Sequence, residues 1–467
     1  MVNHLTWEEK VGQMMMFGFS GDRIPQHISK FILRHNLGGT ILFPQNITNH
    51  EQVKSLNSEL QKLAFQSPSK INLMIAIEQE GGVVKNLCDA LNISPGNRAL
   101  GATHNIKWVE KILSIIAEEL CALGFNMNLA PVVNVNTNLG NLKNAMRSFD
   151  SDPLVVESMA EAAIKGYGKH LLTVAKYFPG HEDFGVDYTL HTPMINQEWE
   201  RLCEIELAPF ERAIYSGVDA LLVTHILFPA LEKNLLLPAS LSSHVLTGFL
   251  RQQLGFEGLI ITDCVEDYLL ANHYSMGEMA VMAINAGADI LLIRHDQGRQ
   301  NEAYKAVVEA VLSGRITMER IDQSHTRVNR AKKRLIQNGE KERPLGKKIY
   351  HLVNQEVIKH ALDVVREGAG LPILLVEMLG ESKAFDPDAM IESLVSTGFS
   401  VEKEQLSLTY TPQDKDRLIS MAKYRPLTIF LSWQAYENEN QIYLIEEMSK
   451  VSQDLIVIDI SNHNLEE

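Results

Sequence analysis

The sequence predicts a (β/α)₈ TIM barrel followed by a smaller α/β domain, and three features of the chain indicate this fold class. Eight short apolar runs alternate with longer segments of helical spacing, which is typical of parallel strands joined by helices. These units extend over about 300 residues, the length that such a barrel needs. Most of the runs lead into a polar residue, and the carboxyl ends of barrel strands are where enzymes of this fold carry their active sites.

The eight apolar runs are the predicted barrel strands. They are Met14–Phe19, Gly39–Phe43, Asn72–Glu78, Asn128–Asn134, Leu172–Lys176, Ala220–His225, Gly258–Asp263 and Asp289–Ile293. Between them, Trp108–Leu123 and Ser158–His170 carry apolar residues at helical spacing. Because strand ends share one face of a barrel, the polar residues there are expected to converge on one pocket. These residues are Glu78, Asn134, Lys176, His225 and Asp263.

A polar stretch with glycine and proline, 337–346, marks a domain boundary after the helical segment Ile321–Ile336. We predict a barrel domain at residues 1–340, a linker with one helix at 341–368, and an α/β sandwich at 369–467. The expected elements of the sandwich are the strands Leu371–Val376, Pro426–Leu431 and Asp454–Ile460 and the helices Pro387–Ser396 and Ile442–Ser449. It stops soon after a strand, so we expect this domain to be incomplete.

Composition narrows the class of protein. The net charge is −15 and no basic block occurs, which argues against a nucleic-acid partner. The four cysteines, Cys88, Cys121, Cys203 and Cys264, lack CxxC spacing, and no signal peptide is visible, so a cytoplasmic protein is expected. No apolar run reaches the ~18 residues of a membrane span. Without a metal-ligand pattern or a nucleotide fingerprint, we expect no cofactor and no metal; the oligomeric state stays open.

Several motifs in a fixed order resemble glycoside hydrolase family 3, and within it the β-N-acetylglucosaminidase branch. The motifs are Gly12-Gln13-Met14, Gly38 to Phe43, Glu78-Gln79-Glu80-Gly81-Gly82, Leu129 to Asn136, Arg147-Ser148-Phe149, Lys176 to His181, Ile261-Thr262-Asp263 and Ala286 to Asp289. The resemblance implies a glycosidase that removes a terminal β-linked sugar similar to N-acetylglucosamine. It also implies an α/β sandwich after the barrel.

Asp263 is the expected nucleophile. A retaining glycosidase needs a carboxylate that attacks the anomeric carbon, and Asp263 stands where a barrel strand delivers it to the pocket. It also matches the nucleophile element of the family. The alternative is that Asp263 caps the helix that follows it.

Lys176 and Arg147 are expected to donate hydrogen bonds to sugar hydroxyls, with pairing to an acidic neighbour as the alternative. His225 resembles a histidine of the family at the end of the sixth strand, and its alternative is a hydrogen-bonded histidine in the pocket wall. The resemblance adds further substrate-binding residues, Glu78, Tyr177 and His181, through the motifs that contain them.

The loop after the fifth strand departs from the family. The family carries Asp-Ser-His there, in which the histidine is the general acid/base and the aspartate orients it. This chain has Asp187-Tyr188-Thr189, and a threonine hydroxyl cannot supply a proton near neutral pH. His191 is the expected substitute, because a histidine titrates in the right range. Glu182 and Asp183 are the other candidates.

Further positions differ from the family pattern: Glu78 and Asn134 replace aspartates, Val83 and Asn86 replace arginines, and Tyr177 replaces a histidine. Buried sugar hydroxyls need partners, so these losses weaken or redirect recognition of the usual sugar. Two hypotheses follow. The chain is a divergent glycosidase, or it binds a sugar, a cell-wall fragment or a protein partner without turnover.

Overall fold

The computed structural model describes two compact units of the chain. The first comprises residues 5–82, 84–87, 94–137, 146–181, 193–234, 237–264 and 274–337. The second comprises residues 373–379, 388, 391, 401–425, 428–433, 438–452 and 455–460. The boundary expected near residue 340, the helix expected within 341–368 and most of the helix expected at 387–396 lie outside the described residues.

The first unit is a parallel barrel, as the sequence predicts. Its strands are β1 Met15–Phe17, β2 Gly39–Leu42, β3 Met74–Ile77, β4 Met127–Asn128, β5 Leu172–Phe178, β6 Ala220–Val223, β7 Leu259–Thr262 and β8 Leu291–Ile293. They form one eight-stranded sheet in the order β8-β1-β2-β3-β4-β5-β6-β7. A parallel bridge between Ile261 and Ile290 joins the two edges. The predicted fold class is therefore confirmed.

Helices cover the outside of the barrel. They are α1 Trp7–Gln13, α2 Gln26–His35, α3 His50–Ala64, α4 Asn97–Ala102, α5 Ile106–Ala122, α6 Pro153–Gly168, α7 Ala208–Tyr215, α8 Met276–Ala286, α9 Gln297–Leu312 and α10 Met318–Gln337. A helical turn, Trp199–Arg201, and a π-helical segment, Leu202–Leu207, precede α7, and a second π-helical segment covers His244–Gln253. Capping boxes at Thr6 and Ser275 explain where α1 and α8 begin. Within the described ranges, no helix is long and apolar enough to cross a membrane.

Alternation along the strands separates the barrel interior from the surface that packs on the helices. In β5, Leu172 and Val174 point inward, whereas Ala175 and Phe178 join the outer core. The register against β6 shifts between Lys176 and Phe178. The extra residue of this bulge brings Tyr177 to the interior as well, so two consecutive polar side chains face inward at the carboxyl end of β5.

The amino-terminal end of the barrel is covered by α10. Val328 is fully buried against the interior side chains, and Ala331 packs beside it. Lys332 is also buried, and its Nζ donates to Gln13 Oε1 at 2.7 Å. Within the described residues the partner of this buried lysine is thus a neutral amide, and burial lowers the pKa of Lys332 to about 7.

The second unit contains a four-stranded parallel sheet. Its strands are β9 Ile373–Leu379, β10 Val401–Ser407, β11 Thr428–Trp433 and β12 Leu455–Ile460, in the order β10-β9-β11-β12. The helices α11 Pro412–Lys423 and α12 Glu439–Ser449 pack on it through Leu418, Leu444 and Met448. The edge strand β10 and the helix α11 were not predicted. The sequence of β10, Val-Glu-Lys-Glu-Gln-Leu-Ser, is polar because only one side of an edge strand is paired.

Candidate active site

Two carboxylates, Glu78 and Glu80, lie on the same side of the chain that leaves β3. Residues two apart in extended backbone share a face, and a short antiparallel ribbon of Gln79–Gly81 with Val84–Lys85 keeps this segment extended. The side-chain amide of Asn128 fixes the segment, because Oδ1 accepts from Gln79 N–H and Nδ2 donates to Gln79 O, both at 2.9 Å. The ribbon turns at Gly81 and Gly82, whose φ angles of +90° and +59° suit glycine.

Lys176 joins these two carboxylates. Its side chain is inaccessible to solvent, and Nζ lies 2.6 Å from Glu80 Oε1 and 3.1 Å from Glu78 Oε1. Glu80 is buried, whereas the side chain of Glu78 keeps 24% of its surface exposed. Glu78 is thus the member of this group that solvent or a ligand can reach.

Arg147 completes the network from the loop after β4. Its Nε and Nη2 donate to the two oxygens of Glu80 at 2.9 and 2.7 Å, a bidentate pair. The loop is held by Asn97 Nδ2, which donates to Arg147 O at 2.8 Å, and by Ser148 Oγ, which donates to Asn134 O at 2.5 Å. These two hydrogen bonds fix the backbone from which the Arg147 side chain extends to the end of β5.

Opposite charges control ionisation in this network. Burial acts to raise the pKa of Glu80, but the charges and hydrogen bonds of Arg147 and Lys176 outweigh it and lower that pKa to about 2. Burial acts to lower the pKa of Lys176, and the carboxylates of Glu78 and Glu80 raise it above its usual value instead. Glu80, Lys176 and Arg147 consequently stay charged at neutral pH.

Tyr177 and His181 lie next to this network. Arg147 Nη2 donates to the Tyr177 hydroxyl at 2.6 Å, so the hydroxyl proton of Tyr177 remains available for another acceptor. The rings of Tyr177 and His181 lie 4.6 Å apart between centroids. Burial, together with the charge of Arg147, lowers the pKa of His181 to about 3. The imidazole of His181 is therefore neutral across the physiological range.

Asp263 follows β7 directly. Its backbone N–H donates to Val223 O of β6 at 2.9 Å, and its Oδ1 accepts from Cys264 N–H at 2.7 Å. The side chain is partly exposed. The residues after Cys264, where the alternative interpretation expects a helix capped by Asp263, lie outside the described residues up to 273.

Arg294 connects Asp263 to the rest of the site. It follows β8, the neighbour of β7. Burial acts to lower the pKa of Arg294, but nearby groups that include Cys264, Asp263 and Glu78 raise it. Because the barrel strands are parallel, Asp263 after β7 and Glu78 after β3 lie at the same end of the barrel. His225 is buried after β6, where Nδ1 is 2.6 Å from Ser240 Oγ and Nε2 has no hydrogen-bond partner within the described ranges.

The structure thus places Glu78, Arg147, Lys176, Tyr177 and His181 together, with Asp263 and His225 at the ends of β7 and β6. The residues of the acid/base loop (Glu182, Asp183, Asp187, Thr189 and His191) and Val83 lie outside the described residues. Two residues of the site were not anticipated, Glu80 and Arg294. Glu80 could have been found in the sequence because it lies two residues after Glu78. Arg294 could have been found because it is a charged residue directly after the eighth apolar run.

No group of three histidine, cysteine, aspartate or glutamate side chains in the described part of the chain is arranged to hold a metal ion. Asn86 and Asn134, two of the departures from the family pattern, lie near the network. Asn86 N–H donates to Gln79 Oε1 at 2.8 Å, and Asn134 is buried. Asn86 therefore supports the ribbon that carries Glu80.

Comparisons with known proteins agree with this geometry. Residues 6–331 match the model of the glycosyl hydrolase family 3 N-terminal domain. A β-hexosaminidase A of Pseudoalteromonas piscicida is 30% identical over 410 residues, which cover 79% of this chain and 69% of that protein. A β-hexosaminidase of Hydrogenovibrio crunogenus is 28% identical over 64% of this chain and 85% of its own length. The solved structure of a family 3 β-N-acetylglucosaminidase from Paenibacillus sp. is 34% identical, with a TM-score of 0.77, and the match covers 98% of this chain and 90% of that one.

The barrel, its strand-end site and these relatives define the class of protein, a glycoside hydrolase that acts on a carbohydrate. More narrowly, the chain belongs to glycosyl hydrolase family 3. The resemblance seen in the sequence motifs is thereby confirmed.

Proposed function

We propose that this chain hydrolyses a terminal β-linked sugar similar to N-acetylglucosamine by a retaining mechanism with Asp263 as nucleophile. The sugar is suggested by the relatives, a β-N-acetylglucosaminidase and two β-hexosaminidases. The observation that carries the proposal is the position of Asp263 directly after β7, at the same end of the barrel as the network of Glu78, Lys176 and Arg147.

In this mechanism an oxygen of Asp263 attacks the anomeric carbon while the glycosidic C–O bond breaks. The leaving oxygen takes a proton from a general acid. Water then attacks the same carbon and gives a proton to the conjugate base of that acid, the ester to Asp263 breaks, and the carboxylate is restored. The bond from Cys264 N–H to Asp263 Oδ1 supports this role, because it holds the carboxylate in one orientation.

The network after β3, β4 and β5 is suited to binding the sugar. Lys176 holds the carboxylates of Glu78 and Glu80 in place, because its ammonium contacts both and is itself inaccessible to solvent. Glu78 is exposed enough to accept from a hydroxyl. Tyr177 and His225 supply further polar atoms, and His181 packs against Tyr177.

The general acid belongs to the loop 182–192, with His191 as the donor and Asp187 as the residue that orients it. A donor must carry its proton near neutral pH. Thr189 does not, and neither does His181, whose pKa is about 3. A histidine side chain has the required chemistry, because the unperturbed pKa of an imidazole lies near neutral pH. The alternative hypothesis, binding without turnover, gains no support from relatives that are hydrolases by name.

The test is a panel of aryl β-glycosides with activated leaving groups, because such groups need little help from an acid. We expect turnover of the N-acetylglucosaminide, and a loss of several orders of magnitude in kcat for Asp263→Asn. Asp322→Asn, on α10 beside Lys10, is the matched control and should retain activity. A 2-fluoro sugar should label Asp263. Absence of turnover on the whole panel, with binding still detected by calorimetry, would establish the binding protein instead.

The acid is tested separately by leaving-group dependence. His191→Ala should slow substrates with poor leaving groups far more than activated ones. If His191→Ala, Glu182→Gln and Asp183→Asn all leave both rates unchanged, the loop supplies no acid. Thr189→His then shows whether the family residue restores turnover of poor leaving groups.

A further inference from the structure

The segment that follows β6 and contains His225 lies between the proposed nucleophile and the end of the acid/base loop. On one side, Val223 O accepts from Asp263 N–H at 2.9 Å. On the other side, Leu227 N–H donates to Pro193 O at 2.9 Å, and Pro193 directly follows the acid/base loop. The backbone of His225 is therefore tied to both parts of the chain that carry the proposed catalytic groups.

The 3₁₀ turn that contains Ser240 packs along this segment. Ala239 N–H donates to Ile226 O at 2.9 Å, and Ser240 N–H donates to Thr224 O at 3.2 Å. Ser240 is inaccessible to solvent, and its Oγ lies 2.6 Å from His225 Nδ1. Because backbone hydrogen bonds form to the residues on both sides of His225, the Ser240 hydroxyl is held against one nitrogen of the imidazole.

The direction of this hydrogen bond follows from the surroundings of Ser240. A buried hydroxyl whose proton has no acceptor costs free energy. In the described part of the chain, the only hydrogen-bond partner of Ser240 Oγ is His225 Nδ1. If Nδ1 carried the proton and donated to Oγ, the hydroxyl proton would have no acceptor there. The arrangement that avoids this cost has the hydroxyl donating to Nδ1, so the proton of the neutral imidazole lies on Nε2.

Nε2 of His225 then carries a buried N–H group. The residue is 7% exposed, and Nε2 has no hydrogen-bond partner among the described residues. Buried N–H groups in proteins are normally paired, so a ligand with an acceptor atom suits this position. The hydroxyl and carbonyl oxygens of a sugar are such acceptors. The opposite tautomer would present a lone pair at Nε2 and would require a donor from the ligand instead.

We propose that Ser240 is a positioning residue that holds the imidazole of His225 in the Nε2–H tautomer, so that His225 donates a hydrogen bond to an oxygen of the bound sugar. The inference rests on the proposed function, which places the sugar at the strand ends. It makes His225 a donor at Nε2 and excludes proton acceptance by that nitrogen. Ser240 acts only through His225, because its hydroxyl faces the other nitrogen of the ring.

The tautomer is measured on the full chain without substrate. Histidine is labelled with ¹⁵N, and spectra are recorded at mildly alkaline pH, where imidazoles are ordinarily neutral. The signals of His225 are those that His225→Ala removes. We expect a protonated Nε2 and an unprotonated Nδ1 in the wild type, and a mixture of both tautomers in Ser240→Ala.

Ser242→Ala is the matched control. Ser242 lies two residues further along the chain and is equally buried, but its Oγ donates to Glu232 Oε2 at 2.5 Å. Loss of this hydroxyl perturbs the same segment without removing the partner of His225. The tautomer of His225 should therefore stay unchanged in Ser242→Ala.

Binding shows whether the sugar uses the donor. The probe is S-phenyl thio-β-N-acetylglucosaminide, whose Kd is measured by calorimetry without turnover. Ser240→Ala should raise this Kd about fivefold, as the loss of one neutral hydrogen bond implies. In a His225→Ala background the same substitution should have no effect, because Ser240 acts through His225. Ser242→Ala should keep the wild-type Kd.

Three results would each overturn the proposal. They are a protonated Nδ1 in the wild type, a tautomer or a Kd that Ser240→Ala leaves unchanged, and an equal rise in Kd with and without His225. Lack of hydrolysis of the aryl glycosides would overturn the proposed function alone, because the tautomer and the thioglycoside affinity are both measured without turnover.

Discussion

Lys176 and Glu80 form an ion pair inside the barrel, with 2.6 Å between Nζ and Oε1 and side-chain exposures of 0% and 2%. Arg147 binds the same carboxylate through two nitrogens. Glu80 therefore contacts two cations, and both the barrel interior and the proposed sugar site depend on this glutamate. Removing one partner of such a group leaves the others charged and without compensation.

Glu80→Gln should therefore destabilise the protein strongly. We expect a loss of about 3–5 kcal/mol in the free energy of unfolding, because Lys176 and Arg147 remain buried and charged. Glu78→Gln is the matched control. It removes the same group from the other side of Lys176, but from a side chain that is 24% exposed, so its effect should be smaller. Urea denaturation measures both, and equal losses would contradict the buried role of Glu80.

The same carboxylate should make stability depend on pH. The folded pKa of Glu80 is about 2, and the pKa in the unfolded chain is about 4.3. Because the folded value is lower, this contribution is complete above about pH 4.3 and is lost as pH falls toward 2. The difference in unfolding free energy between wild type and Glu80→Gln should shrink by about 1.4 kcal/mol per pH unit in that window. A difference that stays constant from pH 5 to pH 2.5 would refute it.

Lys332 should produce the same trend, a rise of stability with pH, in a neutral-to-alkaline window. Its folded pKa is about 7, whereas a lysine in the unfolded chain titrates near ~10.4. Between these values the unfolded state binds more protons, so stability rises with pH across this window. Lys332→Met should abolish that rise and stabilise the protein at neutral pH, although Gln13 Oε1 loses its donor. Tm measured from pH 7 to 10 decides the matter; identical slopes for both proteins would be evidence against a neutral Lys332.

Tyr177 should influence substrate binding through Arg147. Tyr177→Phe removes the hydroxyl that accepts from Arg147 at 2.6 Å, while Arg147 keeps both bonds to Glu80. We expect kcat/KM on an aryl glycoside to fall roughly tenfold, the worth of one charge-assisted hydrogen bond. Tyr304→Phe removes a hydroxyl 3.0 Å from His35, between α9 and α2, and serves as the control. If both variants behave alike, the hydroxyl of Tyr177 has no part in binding.

The sequence predicted the barrel and the position of its strand ends, because apolar runs and their polar termini follow directly from the burial of parallel strands. The ends of the strands were predicted less accurately. Of the predicted run 128–134, only Asn128 belongs to a regular strand, Met127–Asn128, and Pro131 has no N–H to donate to a neighbouring strand. In the second unit, β10 escaped detection since an edge strand needs no continuous apolar run.

The sequence could predict those candidate site residues that directly end an apolar run, such as Lys176 and Asp263. Glu80 was missed because its place depends on a ribbon that forms after the strand, through the turn at Gly81 and Gly82. Tyr177 was placed by its motif, but its inward direction comes from the bulge in β5, which the sequence does not reveal. Contacts across the barrel, such as Arg147 with Glu80, require the closed sheet.

The burial of Glu80, Lys176 and Arg147 has a consequence for attempts to change the substrate by random mutagenesis. Libraries that vary these three positions will yield mostly protein that does not accumulate, so selection will remove it before any new activity can be scored. Glu78, Asp263 and Arg294 are at least partly exposed at the rim, and none of them is enclosed in that charged core. New specificities are therefore more accessible through Glu78 and Arg294, which can change while expression is preserved.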